Sequence, residues 1–241
     1  MADQPPPRQS PPALSSRREL QAFLDRAQQL AVPGNGGRLL FALDATASRQ
    51  PTWDLACSIQ AEMFDQAAAI GGLEVQLAWY RGHREFRHSA WVRDARALAA
   101  EMTRVGCRAG ATQIGRLLDH AWQQTRSRHV DAVVFVGDCL EEQAPPLYER
   151  AGRLAMLRTP LFVFHEGHDP VAGPVFRELC RISGGACLPF DAASPAQLRA
   201  LLRGVAAWAA GGREALAALA GQPGQGLLER LLAQLPAPAD R

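Results

Sequence analysis

The sequence predicts an α/β fold, a doubly wound and mostly parallel sheet with helices on both faces. Short apolar-rich runs at 39–43, 73–80, 132–137, 160–165 and 186–190 alternate with longer stretches of helical periodicity. Strands separated by helices of that length imply a sheet covered on both sides. Glycine and proline punctuate the junctions: Gly36-Gly37, Gly71-Gly72 and Gly184-Gly185 precede strands, while Pro51, Pro145 and Pro195 stand at helix starts. The run Leu39-Leu40-Phe41-Ala42-Leu43 shows no polar alternation, the pattern of a parallel strand buried on both faces.

Each element follows from local chemistry. Residues 1–16 carry five prolines and no periodicity, so disorder is expected there. Ser15 and Ser16 precede Leu20, Phe23, Leu24, Ala27 and Leu30 at helical spacing, which predicts a helix over 17–30. Residues 33–37, Pro-Gly-Asn-Gly-Gly, end it and launch the first strand. A helix from Thr52 to Ile70 and a strand over 73–80 complete a βαβ unit. The Arg81-Gly82 turn leads to a polar edge strand over 85–92, then a small helix over 94–103. Helices are expected over 113–126, 145–157, 171–182 and 195–209, between the remaining strands. Beyond Gly211 come an Ala/Leu-rich helix, a Gly/Pro break at 222–226 and an amphipathic stretch over 227–235. The chain therefore divides into a Pro-rich terminus (1–16), a helix with linker (17–37), a main domain (38–209) and a helical tail (210–241).

Composition narrows the function. A chain of 241 residues that is 47% hydrophobic can bury a substantial core. A net charge of +2 and the lack of an arginine cluster interleaved with aromatics argue against nucleic acid as a partner. All 26 basic residues are arginine. Without lysine there is no P-loop, no kinase strand lysine and no Schiff base. No apolar run is long enough to span a bilayer and the N-terminus is polar, so no membrane insertion is expected and a cytoplasmic location is. The five cysteines are an odd number with no Cys-x-x-Cys spacing, which points to reduced thiols. Heavy use of Ala, Arg, Leu and Gly resembles a GC-rich bacterial genome.

The chemistry concentrates in three loops. Asp44, Thr46 and Ser48 follow the first strand, Thr112 lies in a Gly-containing loop that opens a helix, and Asp138 follows the strand over 132–137. Loops after parallel strands meet where strand order reverses. Five hard oxygen donors converging there suit Mg²⁺ or Mn²⁺. A competing account makes Asp44 a cap for the next helix, but Thr52 stands nearer the helix start. A phosphoryl-transfer aspartate would call for Asp-x-Asp and a lysine, and no Gly-x-Ser-x-Gly elbow is present. Gly34-Asn35-Gly36-Gly37 precedes its strand, whereas phosphate-cradling glycines follow one. The cluster His165-Glu166-Gly167-His168-Asp169 lacks helical zinc spacing and reads as an exposed polar turn. Trp53, Trp79 and Trp91 are candidates for a ligand face near the site, although Trp53, at helical spacing with Cys57 and Gln60, reads more as a packing residue. Arg49 reads equally as a steering charge for an anionic partner or as an exposed basic residue.

At Asp44-Ala45-Thr46-Ala47-Ser48, Thr112 and Asp138 the chain resembles the von Willebrand factor A (VWA) family and its metal-ion-dependent adhesion site (MIDAS). That motif is Asp-x-Ser-x-Ser with a distant Thr and a distant Asp; here Thr46 replaces the first Ser and keeps its hydroxyl. The resemblance extends over about residues 38–208. It implies a binding module and not an enzyme. In the family, hydroxyls such as those of Thr46, Ser48 and Thr112 ligate Mg²⁺, acids such as Asp44 and Asp138 supply charge, and a partner carboxylate completes an octahedron. Intracellular bacterial relatives work beside ATPases or in multiprotein assembly, so the expected partner is a protein presenting Asp or Glu. The alternatives are a metal-dependent hydrolase, for which the three loops offer no histidine base, and a metal-free structural module.

Overall fold

The computed structural model describes residues 36–68, 70–191 and 194–236. The expectations for 1–16 and for a helix over 17–30 lie outside these residues. Among the described residues six strands form one sheet: β1 (Gly37–Asp44), β2 (Leu73–Arg81), β3 (Glu85–Val92), β4 (Ala132–Gly137), β5 (Leu161–Glu166) and β6 (Cys187–Phe190), in the order β3-β2-β1-β4-β5-β6. Every pairing is parallel except β2 with β3, the polar edge strand. The doubly wound, mostly parallel α/β fold read from the sequence is the observed one.

The continuous apolar runs are buried on both sides because side chains alternate across a strand. Leu39, Phe41 and Leu43 enter one core with Trp53, Phe162 and Phe164. Leu40 and Ala42 enter the other with Tyr80, Phe135 and Phe176. The first core is covered by α1 (Gln50–Ile59), α2 (Ala61–Ala68), α3 (Ala95–Thr103), α7 (Pro195–Ala220) and α8 (Gly226–Gln234), the second by α4 (Ile114–Ser127), α5 (Ala144–Met156) and α6 (Ala172–Ser183). Gly37 is required by close approach, since a Cβ there would lie 2.0 Å from the Ala209 carbonyl oxygen. Trp53 fastens α1 to α3: it is 2% exposed, and its Nε1 donates to the Met102 carbonyl at 3.2 Å. Its truncation to Ala is a loss of about 3–5 kcal/mol.

Two local expectations differ from the structure. The helix expected from Thr52 to Ile70 is two helices, α1 and α2, separated by a turn at Gln60. Thr52 is no cap, because α1 begins at Gln50 without a side-chain cap and the Thr52 hydroxyl donates to Glu166 instead. Helix α7 breaks at Gly211 and Gly212, which leave helical φ/ψ. Beyond that break Leu216, Leu219, Leu228, Leu231 and Leu235 join the first core, so the described part of the tail packs on the sheet domain. No helix among the described residues is long and apolar enough to cross a membrane.

Candidate metal centre

Strand β1 lies between β2 and β4, so the chain leaves neighbouring strands toward opposite flanks and a crevice opens at their carboxyl ends. Asp44 is the last residue of β1 and is 2% exposed. Its Oδ1 accepts from the Thr46 backbone N–H at 2.7 Å, and its Oδ2 accepts from the Tyr80 hydroxyl at 3.3 Å. Burial pushes the Asp44 pKa up, the Thr46 and Tyr80 hydrogen bonds pull it back, and the charge of Asp138 pushes it up further. After Asp44 the chain makes a 3₁₀ turn, Ala47–Arg49. The Thr46 and Ser48 hydroxyl oxygens come within 3.4 Å of each other, Thr46 buried and Ser48 exposed.

The Thr112 loop is held from two sides. On one, the Arg108 N–H donates to the Ala45 carbonyl at 3.0 Å and the Ala111 N–H to the Gly82 carbonyl at 3.3 Å. Gly110 permits this, because a Cβ there would stand 2.2 Å from the Gly82 oxygen. On the other, the Thr112 N–H donates to Glu141 Oε2 at 2.9 Å, and the Thr112 hydroxyl accepts from the Glu141 N–H at 3.0 Å. Glu142 accepts from the Ile114 N–H and, at 2.9 Å, from the Gly115 N–H. A carboxylate on those free N–H groups neutralises the positive end of α4. Two glutamates thus clamp the loop after β4 to the loop that carries Thr112. Sequence reasoning missed both; the signal was an adjacent acidic pair only three residues beyond Asp138 and facing a helix start.

Asp138 carries an unsatisfied oxygen into the crevice. Its Oδ2 lies 3.1 Å from Arg49 Nη2, while its Oδ1 is buried without a hydrogen-bond partner. Arg49 Nη1 stands 2.6 Å from Glu166 Oε2 but misses hydrogen-bonding alignment, so that contact is a charge contact. The Arg49 side chain is 13% exposed: it is built into the site, and the exposed-residue reading fails. His165, read as part of an exposed turn, is 6% exposed, and its Nε2 lies 3.1 Å from the Asp138 carbonyl oxygen. Gly167 and His168 of the same turn are exposed. Arg49, Asp138, Glu166 and His168 line an open cavity of about 260 Å³.

The structure thus gathers Asp44, Thr46 and Ser48 in one loop, couples Asp44 electrostatically to Asp138, and ties Thr112 to the loop that carries Asp138. Among the described residues no group of three His, Cys, Asp or Glu side chains is placed to hold a metal ion, so a cation here depends on the hydroxyls. The donor set fits a hard divalent ion: two mutually repelling carboxylates, one of them with an unpartnered oxygen, beside two adjacent hydroxyls. Cys139 adds no thiolate, since burial and then the Asp138 charge push its pKa up to about 12. Trp53 and Trp91 spend their Nε1 groups on Met102 and Gln124. A larger cavity of about 490 Å³ lies at the opposite ends of the strands. Its Arg38 and Arg128 are already paired with Glu74, and its Trp208 Nε1 donates to the Asp131 carbonyl, so the crevice is the stronger candidate site.

No family model matches the chain, and no curated protein does. Solved structures do. The SpRpn10 VWA domain superposes with a TM-score of 0.55 at 14% identity, over 71% of this chain and 95% of that one. An aerotolerance-related membrane protein from Bacteroides fragilis gives 0.53 at 14% identity, over 69% and 96%. The ArnB paralog VWA2 from Sulfolobus acidocaldarius gives 0.50 at 11% identity, over 72% and 46%. These likenesses show that the chain has the VWA fold.

Proposed function

We propose that the protein is a non-enzymatic protein-binding module, an adaptor, whose contact point is a divalent cation, Mg²⁺ or Mn²⁺, held at Asp44, Thr46, Ser48, Thr112 and Asp138. The observation that carries this is the pair of carboxylates at the switch point: Asp44 is raised by burial and by Asp138, and Asp138 Oδ1 is buried without a hydrogen bond. Such an arrangement is costly on its own and is relieved by positive charge. The cation would supply that charge and a position for a carboxylate from a protein partner. Asp44 and Asp138 contribute the negative charge of the site. Thr46, Ser48 and Thr112 contribute neutral oxygens, which leave the ion strongly attractive to an Asp or Glu on an ATPase or another member of a multiprotein complex. Thr112 keeps its hydroxyl hydrogen and a lone pair free of the Glu141 N–H.

A second reading is favoured by Arg49, which already places a positive charge against Asp138 and Glu166. In that reading the guanidinium is the permanent counter-ion and the module recognises its partner without metal. Calorimetric titration with Mg²⁺ and Mn²⁺ separates the two. Metal binding by the wild type that is lost in Asp44→Ala and Asp138→Ala supports the cation site. Identical titrations by all three proteins reject it.

A further inference from the structure

We propose that Arg49 is a built-in competitor for the cation: it closes the site while metal is absent, and its release from Asp138 admits the ion. The inference rests on the cation reading and adds how that site is regulated. Arg49 reaches two of the five candidate ligands at once. Its Nε donates to the Ser48 hydroxyl at 3.4 Å and its Nη2 lies 3.1 Å from Asp138 Oδ2. A divalent ion on Ser48 and Asp138 and a guanidinium on the same two groups exclude each other by charge and by space.

The geometry also supplies the displaced position. Glu166 lies 2.6 Å from Nη1, and the Thr52 hydroxyl, donating to the same Oε2, holds that carboxylate in place. Arg49 can therefore leave Ser48 and Asp138 and keep an anionic partner, so its release does not strand a half-buried guanidinium. Its present pose leaves hydrogen-bonding capacity unused: Nη1 has no aligned hydrogen bond, and Asp138 Oδ1 is unpaired. Asp138, Glu166 and Asp169, which line the crevice with Arg49, outnumber its single positive charge, so the crevice stays net negative with Arg49 in place. A closed site that remains negative screens out partner carboxylates, while attracting the ion that opens it.

Mn²⁺ binding, read by electron paramagnetic resonance and by calorimetry on the full chain, tests the proposal. The proteins compared are wild type, Arg49→Gln and Arg104→Gln, the last removing the same charge from an exposed pair with Glu101. Arg49→Gln is expected to bind Mn²⁺ about tenfold more tightly than wild type, with Arg104→Gln unchanged. In chelator Arg49→Gln should melt below wild type, because Asp138 loses its counter-charge, and in Mn²⁺ the order should reverse. That opposite pair of shifts is the signature of competition. Equal or weaker Mn²⁺ binding by Arg49→Gln, or the same gain in Arg104→Gln, overturns the proposal and leaves the cation site standing. No Mn²⁺ binding by any of the three rejects both.

Discussion

Acidification should destabilise this protein through His120. The ring is 8% exposed, and it stacks on His88 with centroids 4.4 Å apart. Gln76 spends its Nε2 on the Ser89 carbonyl at 3.0 Å and turns its Oε1 to His120 Nε2 at 2.9 Å. The hydrogen-bond network therefore assigns the proton of neutral His120 to Nε2. A second proton finds little solvation and a neighbouring His88, so burial and then His88 lower the pKa to about 4. A lowered base is protonated more in the unfolded chain than in the folded one between pH 6.5 and 4, so stability is full above that window and lost as pH falls through it. At pH 4.5 the unfolded state is favoured by about 2.5 kcal/mol relative to pH 7.5, and by about 2 kcal/mol after allowing for partial screening. Asp44 and Asp131, both raised by burial, act with the opposite sign, so the wild-type curve alone mixes the terms. Urea unfolding of wild type and His120→Gln at pH 7.5, 6.0, 5.0 and 4.5 isolates the histidine as the difference between two slopes. Gln retains an amide donor for Gln76 and cannot titrate. Parallel stability curves for the two proteins across that range would refute the reasoning.

Three further outcomes are expected. Gly37→Ala should cost about 3 kcal/mol, a fall of about 6–12 °C in Tm, because its Cβ would meet the Ala209 carbonyl oxygen at 2.0 Å; a melting temperature within 2 °C of wild type would contradict the close packing of β1 on α7. Thr112→Ala removes the acceptor for the Glu141 N–H and should lower stability by only about 1 kcal/mol. Circular dichroism should show the fold kept while calorimetry shows weaker metal binding, and unchanged binding would remove Thr112 from the site. A screen of phosphate esters and nucleotides with added Mg²⁺ should show no hydrolysis, since the chain has no lysine and His165 is held against the Asp138 carbonyl; turnover lost in Asp44→Asn would replace the binding reading with an enzymatic one.

Much of the architecture was legible because it follows from local periodicity. Continuous apolar runs flanked by paired glycines mark two-sided strands, and the polar run over 85–92 marks an edge, since each pattern reports how many faces of a strand meet water. The break at Gln60 was not legible, because α1 and α2 are both built from residues compatible with a helix and nothing in the sequence around Gln60 forbids a continuous one. Thr52 was misread for a related reason: capping is a local rule, and Glu166, 114 residues away, offered its hydroxyl a stronger acceptor.

For the candidate site, the residue types were legible in the sequence alone: Asp44, Thr46, Ser48, Thr112 and Asp138 are hard-oxygen residues at a strand end, in loops after strands or before a helix, and strand alternation carries them to one edge. Tertiary structure alone decided what surrounds them. Glu141 and Glu142 clamp the Thr112 loop, Arg49 swings onto Ser48 and Asp138, and Glu166 waits beside it. The physical reason is range. Periodicity, turns and caps are settled by neighbours within a few residues, whereas burial and charge pairing depend on groups distant in sequence that only the strand order β2-β1-β4-β5 brings within a few ångströms.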